Sequence, residues 1–308
     1  MKQLTYRENN SLMSMVNPLC KMVWVFSVFI ASLIIDHPLY LSVIFLSTIP
    51  VVLASAVFRE WLSMMKFALY LGLTIIILNT LVSYHGAHVI WQAPFSLPVV
   101  GVPTLTAEAM IFGSGMSLRL LAIISAFSIL TLTIHPDDIL QSLLKLKIPF
   151  KPIMVTSLST RFIPTLVYDA ERISAIQRTR GLELDRGNFL TRIKRRTAVL
   201  IPLLSNSLER TVQVAEAMES RGFSASCQRT FYKDIKLKIH DIFALAFCIL
   251  PLLFSGILRW QSHGSYQYFP SFGDLRMDSI ELLMLGILII SVCSVIPIAF
   301  IIKRLGFD

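Results

Sequence analysis

Six runs of apolar residues, at 19–35, 39–58, 62–82, 107–134, 242–258 and 279–302, dictate what this chain can become. A helix rises 1.5 Å per residue, so about 20 apolar residues cross the hydrocarbon core of a bilayer. The first and fifth runs are the shortest, at 17 residues each. Of the 308 residues, 55% are hydrophobic and 15% charged; a soluble domain carries roughly 25% charged residues. No compact soluble body can bury so much apolar surface. The sequence therefore predicts an all-α integral membrane protein with about six transmembrane helices, and it excludes an ordinary soluble enzyme or a nucleic-acid-binding domain. The first 18 residues are polar and lack the apolar centre of a cleavable signal. Cys20, Cys227, Cys248 and Cys293 show no paired spacing and read as reduced thiols.

Basic residues orient the spans, because Lys and Arg concentrate in cytoplasmic loops. Lys2, Arg7 and Lys21 precede or open the first run, and Arg59 and Lys66 mark the second turn. The 36–38 and 83–106 loops hold no Lys or Arg. In the 259–278 loop Arg259 and Arg276 are offset by Asp274 and Asp278, and Lys303 and Arg304 close the chain. This alternation predicts that both termini are cytoplasmic. The formal charge of +9 is thus a membrane signature; it calls for contact with lipid and not with nucleic acid.

Residues 135–241 separate a four-span region, 1–134, from a two-span region, 242–308. They hold 18 of the 28 basic residues and 11 acidic ones. His135-Pro136-Asp137-Asp138 reads as a helix start, with Pro and acids in the first turn. A short helix runs to about Lys147. A long one follows from about Ile153 to Arg180, with Pro164 as a kink and Gly181 as its stop. After a loop with Asp185, Gly187 and Asn188, a second runs from about Phe189 to Arg221, kinked near Pro202 and stopped by Gly222. Ile193, Leu200, Leu204, Leu208, Val212, Ala215 and Met218 form one apolar stripe along it. Such helices lie along the membrane face or pack on each other.

Catalytic signatures are missing. No G-x-x-x-x-G-K-[ST] phosphate loop, G-x-S-x-G elbow or H-E-x-x-H zinc pair occurs. His85 and His88 alone fall short of a metal site, which takes three or four ligands, and read as a solvated loop. No metal or other cofactor is expected. Gly113-Ser114-Gly115-Met116-Ser117 lets another helix approach the fourth span, most simply within the chain. Arg119, near the middle of that span, reads either as functional or as an anchor bonded to neighbouring carbonyls.

The strongest constellation is a duplicated helix end. Gln177-Arg178-Thr179-Arg180-Gly181 and Met218-Glu219-Ser220-Arg221-Gly222 each place a small hydroxylated residue, an Arg and a Gly at a helix terminus. Gly supplies the left-handed position after the last turn, and the Arg is left at an exposed tip. A guanidinium there can fork onto a partner's carboxylate. One such end is an ordinary cap; two, 41 residues apart, suggest a two-point docking device.

These triplets, Thr179-Arg180-Gly181 and Ser220-Arg221-Gly222, resemble the paired Ala-Arg-Gly-like motifs of the transmembrane coupling (T) components of energy-coupling factor transporters, the EcfT/CbiQ family. Asn17-Pro18-Leu19-Cys20-Lys21, Ser117-Leu118-Arg119-Leu120, His135-Pro136-Asp137-Asp138, Arg161-Phe162-Ile163-Pro164 and Pro202-Leu203-Leu204 are similar to the family as well. The resemblance covers roughly residues 15–260. It implies a non-catalytic subunit of an ATP-binding-cassette importer for a vitamin or metal ion, in a prokaryotic cell membrane. Its implied partners are two cytosolic ATPase subunits, docked at Thr179, Arg180, Gly181, Ser220, Arg221 and Gly222, and a small membrane substrate-binding (S) component. Pro164 and Pro202 would let the two coupling helices bend. Two other classes stay open: a self-sufficient secondary transporter, which needs several charges in its spans, and an intramembrane enzyme, which needs a nucleophile–base or metal constellation.

Overall fold

The hydrophobic runs fold as helices whose ends are set by local hydrogen bonding. The computed structural model describes residues 13, 16–82, 88–92, 104–145, 148–183, 188–223, 239–261, 266–268 and 279–304. Lys2, Arg7, His85, Asp185, Gly187, Cys227 and most of the 259–278 loop lie outside the described residues. Within them the helices are α1 (Pro18–Ile34), α2 (Pro38–Ala54), α3 (Phe58–Val82), α4 (Ala107–Thr133), α5 (Pro136–Lys145), α6 (Phe150–Thr179), α7 (Phe189–Ser220), α8 (Ile239–Trp260), α9 (Ser279–Cys293) and α10 (Val295–Arg304). One antiparallel ribbon, β1 (Val89–Gln92) with β2 (Thr104–Thr106), joins α3 to α4; nothing in the loop's composition announced it.

Proline opens three of these helices for a common reason. Its missing N–H is no loss at the first helical position, where that donor has no partner anyway. Asn17 caps α1, its Oδ1 accepting from the Leu19 N–H at 3.1 Å. His37 caps α2, its Nδ1 accepting from the Leu39 N–H at 3.3 Å. His135 does the same for α5 through the Asp137 N–H at 3.2 Å.

Among the described residues four helical stretches are long and apolar enough to cross a membrane: Phe58–Leu81, Ala107–Thr133, Asp241–Trp260 and Ser279–Pro297. The apolar α1 and α2 have 17 residues each. The fifth run grows into the 22-residue α8. The sixth, expected as one span over 279–302, keeps a membrane-length stretch, Ser279–Pro297, but turns at Ser294 between α9 and α10. Pro297 cannot donate to Cys293, and Ser294 turns the chain, its Oγ donating to the Ser291 carbonyl at 2.7 Å.

The chain forms two compact units, Met1–Ile139 with Lys236–Asp308, and Leu140–Ile235. The first is a packed membrane unit. Trp24, Val25, Val28, Tyr40, Ile44, Leu258 and Leu288 are buried in its core. Its two buried indoles are both paired, as a medium without water favours. Trp24 Nε1 donates to the Val292 carbonyl at 3.0 Å, and Trp61 Nε1 to Ser125 Oγ at 3.0 Å. The small-residue patch of α4 serves packing inside this unit. Gly113 faces the α3 backbone at Ile76, Gly115 faces Tyr268, and Ser117 faces Gly72.

The second unit is built differently. α6 and α7 touch along their length through few contacts. Gln177 Nε2 donates to the Ala198 carbonyl at 3.3 Å, and Arg210 pairs with Asp169 at 3.0 Å. The Phe150 and Phe223 ring centroids are 6.3 Å apart. The end of α6 thus meets the start of α7 and the reverse, so the two helices run antiparallel. Ile153 and Val199 are the buried apolar residues of these helices.

Candidate functional site

The Thr179-Arg180-Gly181 and Ser220-Arg221-Gly222 ends adopt one geometry. Gly181 has φ +83° and Gly222 φ +71°, the left-handed region that favours glycine. The Gly181 N–H donates to the Arg178 carbonyl and the Leu182 N–H to the Gln177 carbonyl, both at 3.0 Å. In the second end Gly222 donates to Glu219 at 2.9 Å and Phe223 to Met218 at 3.0 Å. These pairs are Schellman closures, which satisfy the last carbonyls of a helix. Thr179 Oγ1 donates to the Ile176 carbonyl at 2.8 Å and Ser220 Oγ to the Ala217 carbonyl at 3.0 Å. Each hydroxyl is folded back onto its own helix, which leaves the Arg as the reaching group. Arg180 (φ −80°, ψ 6°) and Arg221 (φ −84°, ψ 7°) occupy the same cap position with nearly the same backbone.

All six triplet residues are exposed. Because α6 and α7 are antiparallel, the two tips stand at opposite ends of the pair. A 30-residue helix is about 45 Å long, so the two arginines stand far apart.

Both helices continue through Pro164 and Pro202. Pro202 opens a carbonyl inside α7. It has no N–H to offer Ala198, four residues back, and the freed carbonyl is the one that takes Gln177. The first tip is therefore tied to α7 through the carbonyl that a proline opens. Gln177 went unnoticed in sequence, since an amide four residues before a stop glycine carries no pattern of its own.

The apolar stripe of α7 is not spent on packing against α6. Ile193, Leu200, Leu204, Leu208 and Val212 are all more than half exposed, as are Val155, Ile163 and Val167 of α6.

Arg119 has a partner that the sequence did not name. It donates to Asp36 Oδ1 at 2.7 Å and to the Ile35 carbonyl at 2.9 Å. Arg259 takes the other oxygen, Asp36 Oδ2, at 2.8 Å, and Tyr268 Oη donates to the Asp36 carbonyl at 2.5 Å. Burial pushes the Tyr268 phenol up to about 12, so it stays a donor. Asp36 thus joins the α1–α2 turn to α4 and the end of α8 through its carboxylate, and to the segment at 266–268 through its backbone carbonyl. His88 and Glu108 form a pair, Nδ1 to Oε1 at 2.8 Å. Among the described residues no group of three or more His, Cys, Asp or Glu could hold a metal ion.

A family model described as CbiQ, cobalt transport protein, matches residues 9–232. The chain belongs to the EcfT/CbiQ family. It is similar to proteins named energy-coupling factor transporter transmembrane protein EcfT from three bacteria. With that of Staphylococcus aureus it shares 33% identity over 165 residues, 51% of this chain and 62% of that protein. With that of Streptococcus thermophilus it shares 33% over 227 residues, 67% of this chain and 83% of the other. With that of Bacillus selenitireducens it shares 29% over 258 residues, 80% of this chain and 92% of the other. The match thus spans a little under two thirds of the Staphylococcus protein. The CbiQ match contains both arginine tips and ends before α8 begins. With its membrane-length helices and bacterial relatives, the chain is a prokaryotic membrane protein.

Proposed function

We propose that this chain is the non-catalytic transmembrane coupling subunit of an energy-coupling factor importer. Two cytosolic ATPase subunits dock on Arg180 and Arg221, and a separate small membrane protein captures a vitamin or metal ion. The observation that carries this reading is the matched pair of Schellman-closed, arginine-capped tips at opposite ends of an antiparallel helix pair. A spacer with two equal contact points fits a partner that is itself a dimer. Closure of that dimer would change the load on both tips at once, and the exposed apolar stripe gives the capture protein a surface to rest on. Topology follows the loop charges, with the tips and both termini cytoplasmic.

An arginine that forks onto a partly buried carboxylate leaves that charge stranded when removed, at a cost of roughly 2–5 kcal/mol per contact. Arg180→Ala with Arg221→Ala is therefore expected to abolish ATPase co-purification and ATP-driven uptake while the chain still inserts. Arg→Lys should rescue little, because a point charge cannot replace a planar fork. The probes are radiolabelled riboflavin, thiamine, biotin, folate and cobalt(II). Full association and full uptake by the double variant would reduce both tips to ordinary helix ends.

A further inference from the structure

Two sequence stretches have no part in the docking site: Asn17-Pro18-Leu19-Cys20-Lys21 and His135-Pro136-Asp137-Asp138. The fold brings them together. Lys21 is 5% exposed, and its Nζ donates to the Thr133 carbonyl, at the last residue of α4, at 3.3 Å. A cation suits that position, since the last carbonyls of a helix carry partial negative charge. Asp138, in the first turn of α5, adds a favourable charge to the same ammonium. One turn earlier, Asn17 caps α1 with its Oδ1 and donates from Nδ2 to Asp241 Oδ2 at 3.3 Å. Asn17 and Asp241 are both buried, and Cys20 Sγ donates to the Asp241 carbonyl at 3.6 Å.

The chain's path gives this cluster its meaning. The membrane unit ends its first part at Ile139 and resumes at Lys236. Thr133 and Asp138 lie just before the departure, and Asp241 lies just after the return. Both connections are therefore gripped by the same first turn of α1. The other end of α1 leads directly into Asp36, which Arg119 and Arg259 clasp. A 17-residue helix thus runs from a joint at the two connections to a charged clasp at its far end.

We propose that the first turn of α1 is the anchor through which displacement of the 140–235 unit reaches the membrane unit, with Lys21 and Asn17 as its positioning residues. The proposal rests on the coupling reading above. Only if both connections are held at one place can a change in spacing of the tips act on the membrane helices as a unit. A loose joint would let the coupling helices move while α1 stayed still.

The test uses the complete complex, purified with its own partners and reconstituted in vesicles. ATP hydrolysis and uptake of the probes named above are measured together. Lys21→Met keeps the length of the side chain and removes the charge. It is expected to retain ATPase association and hydrolysis, while uptake per ATP falls by roughly tenfold, within the usual range for coupling between sites. Lys21→Arg should restore most of the ratio. Asp241→Ala is the second arm, read by the same ratio, and it decides the matter should Lys21→Met fail to accumulate. An unchanged ratio in the variants overturns the proposal, and so does loss of ATPase association like that of the double tip variant, which would make the joint a general structural element. Wild-type complex with no ATP-driven uptake would instead overturn the coupling reading itself, and this proposal with it.

Discussion

The two units of this chain both expose apolar residues, but the membrane unit also buries a core of them. In the membrane unit Trp24, Val28, Tyr40, Ile44 and Leu288 are buried together. In the 140–235 unit the leucines at 200, 204 and 208 are 52%, 61% and 67% exposed. The first unit encodes its own shape: side chains interlock, and glycines let helices close on each other. The second encodes two helices and their ends, by caps, an ion pair and a few cross-links, and leaves its apolar face uncovered. A unit of the first kind is sensitive to volume. One of the second kind is sensitive to what covers it.

Paired substitutions test this contrast with the largest expected effects. A Cβ at Gly113 would stand 3.1 Å from the Ile76 Cα, and backbone cannot rotate away. Gly113→Leu is therefore expected to force α3 from α4 and cost roughly 3 kcal/mol, seen as a lower thermal midpoint in detergent. Leu204→Gln with Leu208→Gln should leave that midpoint nearly unchanged, within about 0.5 kcal/mol. The same double change should weaken co-purification of the membrane and ATPase partners. If the leucine pair unfolded the isolated chain while Gly113→Leu did not, the contrast would be inverted.

Much of this organisation was legible in the sequence, and the parts that were not share a cause. The ends of α6 and α7 could be read almost to the residue, because Gly181 and Gly222 are stop signals that act within a single turn. The apolar stripe could be read too, though its periodicity is the same whether a helix partner or nothing covers it. Arg119 announced itself as a charge in an apolar run. Its partner Asp36 did not, because a carboxylate at a span end looks like any loop acid. Lys21 and Asp241 were hidden in the same way, since pairing across 112 and 224 residues leaves no local pattern. The break at Ser294 was masked by an unbroken apolar run in which Pro297 was the one clue.

The two tips also differ from each other in one respect. Gln177 ties the first to the Ala198 carbonyl, and no matching side-chain tie is described at Met218, which has no polar group to offer. Gln177→Leu is expected to loosen the first tip by about 1 kcal/mol, the usual net worth of such a bond. Amide exchange at Gly181 and Leu182 should then quicken by roughly fivefold, while Gly222 and Phe223 keep their rates. Equal acceleration at both tips would mean that α6 and α7 open as one body and that the tie is not local.

The smallest effect separates the units by proton chemistry. Residues 140–235 contain no histidine, whereas the membrane unit holds His37 at the turn that carries Asp36. His37 is buried between the rings of Tyr40 and Tyr266, at 5.4 and 5.1 Å. Its Nδ1 accepts the Leu39 N–H, which only an imidazole unprotonated at that nitrogen can do. Burial lowers its pKa below the usual 6.5, against a weaker opposite pull from Glu281. The unfolded chain therefore binds this proton more readily than the folded one, and stability rises with pH in that window. The stabilisation is complete above about pH 6.5 and is lost as the pH falls toward the lowered value. His37→Asn keeps an N-cap acceptor but cannot titrate. The thermal midpoint of the wild type should fall slightly more than that of the variant between about pH 7.5 and 5.5. Amide exchange at Leu182 and Phe223, corrected for its intrinsic pH dependence, should stay the same in both proteins. Identical pH dependence of the two midpoints would remove His37 from the account, and a tip that followed the histidine would show that the units do not answer separately.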